Sequence, residues 1–235
     1  MATEINLQQL TSKIFVMPRE RDEFFRESNT TEREKIFVLA FEGNITEEKY
    51  FSEFKNSNKF NDELICLHLL KRRSDDTNSA PNHVFDKLKR EAKDEFNFKN
   101  GDELWMIIDT DRWKNIPKII ETCKGLENMF VAVSNPCFEF WLLLHIKDIQ
   151  EYNKEELELL FKNKKIRNKN YVERKIIEIV GSYNKTNLKT DDFLPNIDAA
   201  VSRAKILDQA HEEYPAKLGS HIYKLIAKLR KVETE

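Results

Sequence analysis

Apolar residues in the first half of the chain come in short unbroken runs, and the stretches between them carry helical spacing. IFVLAF at 36–41 has no polar position, which predicts a strand buried on both faces, as in a parallel sheet. From Thr46 to Phe54 the spacing turns helical, with Tyr50, Phe51 and Phe54 on one side. LICLHLL at 64–70 predicts a second strand, a polar loop follows at 71–82, and 83–96 predicts a charged surface helix. ELWMII at 103–108 predicts a third strand, 116–126 a helix opened by Pro117, and 130–133 a short fourth strand. Ser134-Asn135-Pro136 then has the composition of a helix start, with Asn135 as N-cap, and CFEFWLLLHI continues that helix.

Strands alternating with helices predict a three-layer α/β/α domain with a mainly parallel sheet. Beyond Ile146 no strand signal recurs, and helices are expected at about 155–161, 171–180, 196–213 and 220–231. Residues 1–33 are polar and charge-mixed without a clean helical stripe, and so divide off as an N-terminal arm. The expected organisation is an arm at 1–33, an α/β core at 34–150 and a helical C-terminal region at 151–235 packing on that core.

Composition narrows the function classes. The 39 Lys and Arg against 41 Asp and Glu leave a formal charge of −2, so no global positive field advertises a polyanionic partner. No apolar run approaches the roughly 20 residues of a membrane helix. The opening MATEINLQQL lacks the basic and apolar regions of a secretory signal, and a cytoplasmic protein is expected. Cys66, Cys123 and Cys137 are widely spaced and without a ligand cluster, which predicts reduced, mostly buried thiols. A nucleophilic Cys137 would need His68 or His145 beside it.

In open α/β sheets ligands collect beyond the carboxyl ends of the strands, and two predicted strands end on acids. Glu42 follows the first; Asp109 and Asp111 follow the third. Two hard oxygen donors two residues apart suit Mg²⁺ or Mn²⁺, and Glu42 adds a third acid or a general base, with Gly43 leaving room for a phosphate. Acids at strand ends also form turns, so it is their conjunction that points to a site. Glu47 has the spacing of a capping box with Asn44 as N-cap, which makes capping its favoured role. Glu139 sits on a helix apolar on nearly every side, where an ionised carboxylate requires a cation, a metal or a buried Lys or Arg. There it would lie at the fourth helical position, one beyond the capping-box position.

These residues belong to a larger pattern: Glu42-Gly43-x-x-Thr46-Glu47-x-x-Tyr50-Phe51, then Asp109-x-Asp111, then Ser134-Asn135-Pro136-Cys137-Phe138-Glu139-x-Trp141-x-x-x-His145, then Tyr183-x-Lys185. In that order they resemble the RloB/AbiLii family, Toprim-domain proteins of bacterial antiphage defence, from about Lys35 to the C-terminus. The resemblance implies a Toprim fold, Rossmann-like, with a C-terminal helical extension, and a Mg²⁺- or Mn²⁺-dependent nuclease acting on DNA, RNA or tRNA. It assigns Glu42, Asp109 and Asp111, supported by Glu139, to metal binding and catalysis, and draws Lys185 in as a cation for the scissile phosphate. It also implies an ABC- or AAA-type ATPase as partner and leaves room for a homodimer. The loop after Asp111 holds Arg112-Trp113 and no further Asp, so a D-x-D-x-D arrangement is missing.

Other readings stay beside this one. A binding or regulatory subunit of the ATPase complex would carry the same acids as a vestigial site. A nucleotidyl transferase would keep the metal. No P-loop or G-x-G-x-x-G pattern gives the chain an ATPase site of its own. Lys71-Arg72-Arg73 is an ordinary solvated loop before it is a phosphate clamp. His145 is expected to meet the helix C-terminal dipole as a protonated imidazole, and Trp113 to anchor core rather than stack a base.

Overall fold

In the computed structural model the described residues are 35–43, 45–70, 81–95, 98–110, 115–126, 128–208 and 212–231. The N-terminal arm, Asn44, the Lys71-Arg72-Arg73 loop, Asp111 and Trp113 lie outside them. β1 (Lys35–Phe41) is central because every side chain from Ile36 onward is apolar and must be covered on both sides. It pairs in parallel with β2 (Ile65–Leu69) on one side and β3 (Glu103–Asp109) on the other. β3 pairs in parallel with β4 (Met129–Asn135), giving the order β2-β1-β3-β4-β5, and β5 (Gly219–Ser220) closes the edge antiparallel to β4.

The alternation along β1 divides the core. Ile36, Val38 and Ala40 pack with Val84 and Leu88 of α2 (Pro81–Glu95) and with Ile116, Ile119 and Ile120 of α3 (Ile116–Lys124). Phe37, Leu39 and Phe41 face Tyr50, Phe51 and Phe54 of α1 (Thr46–Lys55) and the helix α4 (Phe138–Ile146). Each buried Leu, Ile or Phe contributes about 1.5–3 kcal/mol of apolar transfer. Helices on both faces of a mostly parallel sheet make this a Rossmann-like α/β fold. Among the described residues no helix is long and apolar enough to cross a membrane.

α4 has no polar face, and the C-terminal helices supply its cover. α5 (Lys154–Lys162), α6 (Tyr171–Val180), α7 (Ile197–Leu207) and α8 (Ile222–Leu229) follow in chain order, and α6 and α7 pack against α4. One apolar cluster therefore runs unbroken from β1 through α4 to α8.

Two expectations need correction here. The C-terminal region is not purely helical, since it contributes β5, and the chain around Ser134 and Asn135 is strand rather than helix start. Ser134 and Asn135 pair with Ser220 and Gly219, and the Asn135 side-chain amide donates to the Pro215 carbonyl at 2.8 Å. These bonds hold the backbone extended through Asn135, so α4 begins at Phe138 with Cys137 as N-cap. α8 correspondingly starts at Ile222, and α7 stops at Leu207.

The start of the sheet is fastened by a buried carboxylate. Asp102 Oδ1 accepts from the Ile36 amide and Oδ2 from the Lys99 amide, both at 2.8 Å. D102A leaves the buried Ile36 N–H without that acceptor and is expected to cost about 1–3 kcal/mol, read from urea unfolding midpoints. A change under about 0.5 kcal/mol would mean that β1 does not depend on this bond.

Candidate active site

The parallel register of β1 and β3 brings two acids to neighbouring strand ends. Glu42 continues the β1 ladder by one residue, its amide donating to the Ile107 carbonyl at 2.9 Å. Its carboxylate then folds across the end of β3, where Oε2 accepts from the Asp109 amide at 3.0 Å. Asp109 is half-buried and opposite Ser134 of β4, and Thr110 donates to the Ser134 carbonyl. The strand gives way to a bend at Thr110. The edge thus gathers β1, β3 and β4, the place where doubly wound sheets bind ligands.

Glu47 belongs to this edge. α1 begins at Thr46 with Ile45 as its N-cap and no side-chain capping bond, so Glu47 falls at the second helical position, not the third that a capping box needs. Its side chain is buried and lies over Gly43, where an added Cβ would run into the Glu47 carboxylate. Gly43 is therefore required for close approach. Burial pushes Glu47 up to about 7, and the neighbouring Glu139 and Glu42 add to the rise against the opposing Lys185.

Glu139 comes from the start of α4 and meets residues from the far end of the chain. Lys185 Nζ lies 2.7 Å from Glu139 Oε1 and 3.0 Å from Glu173 Oε1, and the Tyr183 hydroxyl donates to Glu139 Oε1 at 3.1 Å. Burial most strongly opposes the charge on Glu139, but Lys185, together with hydrogen bonds from Cys137 and the backbone, holds the carboxyl below its ordinary value. Burial likewise disfavours the Lys185 ammonium, and Glu139 and Glu173 more than restore it. Burial and the surrounding carboxylates push Tyr183 up, so it stays a donor. Thr46 Oγ1 donates to the Lys185 carbonyl at 3.3 Å, tying this loop to α1. The buried-pair reading of Glu139 and the Tyr183-x-Lys185 pattern are thus one contact.

Glu173 and Lys169 were not legible in the sequence. Glu173 sits in an ordinary amphipathic helix, yet it is buried, 3.0 Å from Lys185 and 3.8 Å from Lys169. Tyr50 and His145 of the patterned stretches make structural contacts. His145 Nδ1 lies 2.9 Å from the Trp141 carbonyl, which can only accept; Nδ1 therefore carries the proton, and Nε2 accepts from the Tyr50 hydroxyl at 3.0 Å. Burial lowers His145 to about 4, so the imidazole is neutral and the expected charge–dipole contact is absent. Cys137 pairs with no histidine among the described residues: its Sγ accepts from Asn163 Nδ2 at 3.3 Å, and burial followed by Glu139 and Asp109 raises the thiol well above its ordinary value. Cys66 is half-buried with Sγ 3.2 Å from His68 Nε2, Cys123 is buried, and all three thiols are reduced.

The donor chemistry suits a hard divalent cation. Glu42, Glu47, Glu139 and Glu173 are all buried with Asp109 beside them, and Glu47 is raised first by burial and then by Glu139 and Glu42 against Lys185. Among the described residues no three His, Cys, Asp or Glu side chains converge to hold one ion. Mg²⁺ commonly takes only one or two protein carboxylates and completes its shell with water and phosphate, so this set fits it in kind.

The raised Glu47 carboxyl has a stability signature. Its folded-state value of about 7 lies above the ordinary 4.5, so the folded protein binds the extra proton. That contribution is fully present below the ordinary value and is lost as pH rises through about 7. In metal-free buffer E47Q should gain stability over the parent between pH 5 and pH 8, by up to about 3 kcal/mol, in thermal unfolding at the two values. A difference that does not change with pH would rule out the raised carboxyl.

No curated protein and no solved structure matches the chain. A family model described as RloB-like protein matches residues 37–229. The match runs from within β1 to the end of α8 and takes in Glu42, Glu47, Asp109, Glu139, Glu173 and Lys185. With most of its length covered, the chain belongs to the RloB-like protein family.

Proposed function

We propose that this chain is a metal-dependent phosphodiesterase of Toprim type, a nuclease of a bacterial antiphage defence system controlled by an ABC- or AAA-type ATPase. The observation that carries the reading is the Asp109 amide bonded to the Glu42 carboxylate across the ends of β1 and β3, beside buried Glu47 and Glu139. Glu42, Asp109 and Asp111, with Glu139 in support, would hold Mg²⁺ or Mn²⁺. When bound, such an ion supplies Lewis acidity and a water of lowered pKa.

The chain's own residues supply the rest. Lys185 is held by Glu139 and Glu173, and its side chain is 44% exposed, so a phosphate brought to this edge would meet a cation already fixed in place. Glu47, at about 7, can take or give a proton near neutrality, which suits general acid–base work on the attacking water or the leaving oxygen. Gly43 leaves room for the Glu47 carboxylate to lie against the backbone, and Tyr183 orients Glu139.

One observation favours a second reading, a regulatory subunit with a vestigial site. Lys185 already neutralises Glu139. Metal uptake separates the two.

E42Q, D109N and D111N should each lower metal-dependent cleavage of plasmid, single-stranded DNA or RNA by about 100-fold or more, with thermal midpoints near the parent's. If E42A and D109A fold and still cleave as the parent does, the assignment is wrong. G43A, which displaces the Glu47 carboxylate, should lose activity by at least about tenfold while costing under about 1 kcal/mol of stability. Calorimetry with Mg²⁺ and Mn²⁺ should show uptake that E42Q weakens; no uptake by the parent would favour the regulatory subunit.

A further inference from the structure

The segment between α5 and α6 is basic and tightly shaped. Residues 162–169 read KNKKIRNK, five cations without an acid. The amides of Ile166 and Lys169 each donate to the other's carbonyl, at 2.8 and 3.1 Å, with Arg167 and Asn168 between them at φ of 49° and 67°. Two successive left-handed residues inside such a bonded pair make a narrow hairpin turn, a conformation that costs non-glycine residues energy. Ile166 and the side chains of Lys164, Lys165 and Arg167 are exposed at its tip. Among the described residues those three cations have no carboxylate partner.

Both feet of the turn are anchored at the acidic site. Asn163, buried and itself left-handed at φ 42°, donates from Nδ2 to Cys137 Sγ and accepts the Val172 amide on Oδ1 at 3.1 Å. Lys169 donates to the Tyr183 carbonyl at 3.2 Å, lies 5.7 Å from that ring's centre and 3.8 Å from Glu173. A cavity of about 560 Å³ is lined by Lys165, Lys169 and Asn170 on the turn side, by Glu173, and by Asn184 and Lys185 on the other. Lys185 at its wall is the residue that touches Glu139.

We propose that the 163–170 turn and Lys185 form a seat for the phosphodiester backbone of a nucleic acid strand, leading that strand toward Glu139. The inference rests on the nuclease reading and adds to it the surface that carries the substrate. Unpaired cations on a rigid turn are the groups that bind phosphates without reading bases, and a chain with a net charge of −2 needs such a local patch. The asparagines Asn170 and Asn184 add neutral hydrogen-bonding groups to the wall, suited to phosphate and sugar oxygens.

The full chain is titrated with labelled single-stranded DNA and RNA in EDTA, by fluorescence anisotropy, across about 50 to 200 mM salt. The variant K164Q/K165Q/R167Q should bind at least about tenfold more weakly at low salt, with a log–log salt slope smaller by about 2, as three lost single-strand phosphate contacts require. K89Q/R90Q/K118Q, on α2 and α3 across the sheet, should bind as the parent does. Unchanged binding by the turn variant, equal weakening by both variants, or no binding by the parent would each overturn the proposal. Equally tight, equally turn-dependent binding of poly-glutamate would overturn it in favour of an acidic protein partner. If E42Q and D109N abolish cleavage while the turn variant binds normally, the seat falls and the nuclease stands. If the turn variant alone loses binding but the parent cleaves nothing with any metal, the nuclease falls and the seat stands.

Discussion

A nine-residue helix with no polar face has to be covered on every side, and the fold is arranged to cover α4. The sheet supplies one side through Phe37, Leu39 and Phe41, α1 supplies aromatic rings, and α6 and α7 enclose the rest. Tyr50 shows how closely this is fitted: its ring packs edge-on to Phe138 and Trp141, while its hydroxyl satisfies a neutral His145. The C-terminal helices therefore share one core with the sheet and α4.

That constraint carries Glu139 inside with α4. A carboxylate there must be compensated, and compensation comes from Lys185, some 46 residues along the chain, held in place by Glu173, Thr46 and its neighbour Tyr183. The pairing joins α1, α4, α6 and the 183–187 loop at the carboxyl edge of the sheet, where Glu42 and Asp109 already meet. Glu47 enters the same space over a glycine and is left with more negative charge around it than one lysine offsets. A site of this kind holds its acids together through packing and would release the electrostatic tension on gaining a cation.

Both ends of the polar circuit return to α6. Glu173 on its first turn meets Lys169 and Lys185, and Asn163 ties the preceding turn to Cys137 two residues before Glu139. The basic tip of the 163–170 turn is thus fixed relative to the acids by buried bonds at its base, although its own side chains are exposed.

Much of this was legible in the linear order of residues. Unbroken apolar runs ending on Glu42 and Asp109 determined the parallel strands and the edge on which the acids fall, because a strand covered on both faces leaves no alternative pattern. The patterned stretches determined the family, and the apolar surroundings of Glu139 determined that it needed a partner. Tertiary structure alone decided who that partner was, since ion pairs between distant segments leave no periodicity. It alone moved Glu47 from a cap to the acid cluster, through a helix start shifted by one position, and made His145 neutral by burial. It also drew Ser134 and Asn135 into the sheet, because their pairing partner is a two-residue strand too short and too polar to carry a pattern of its own.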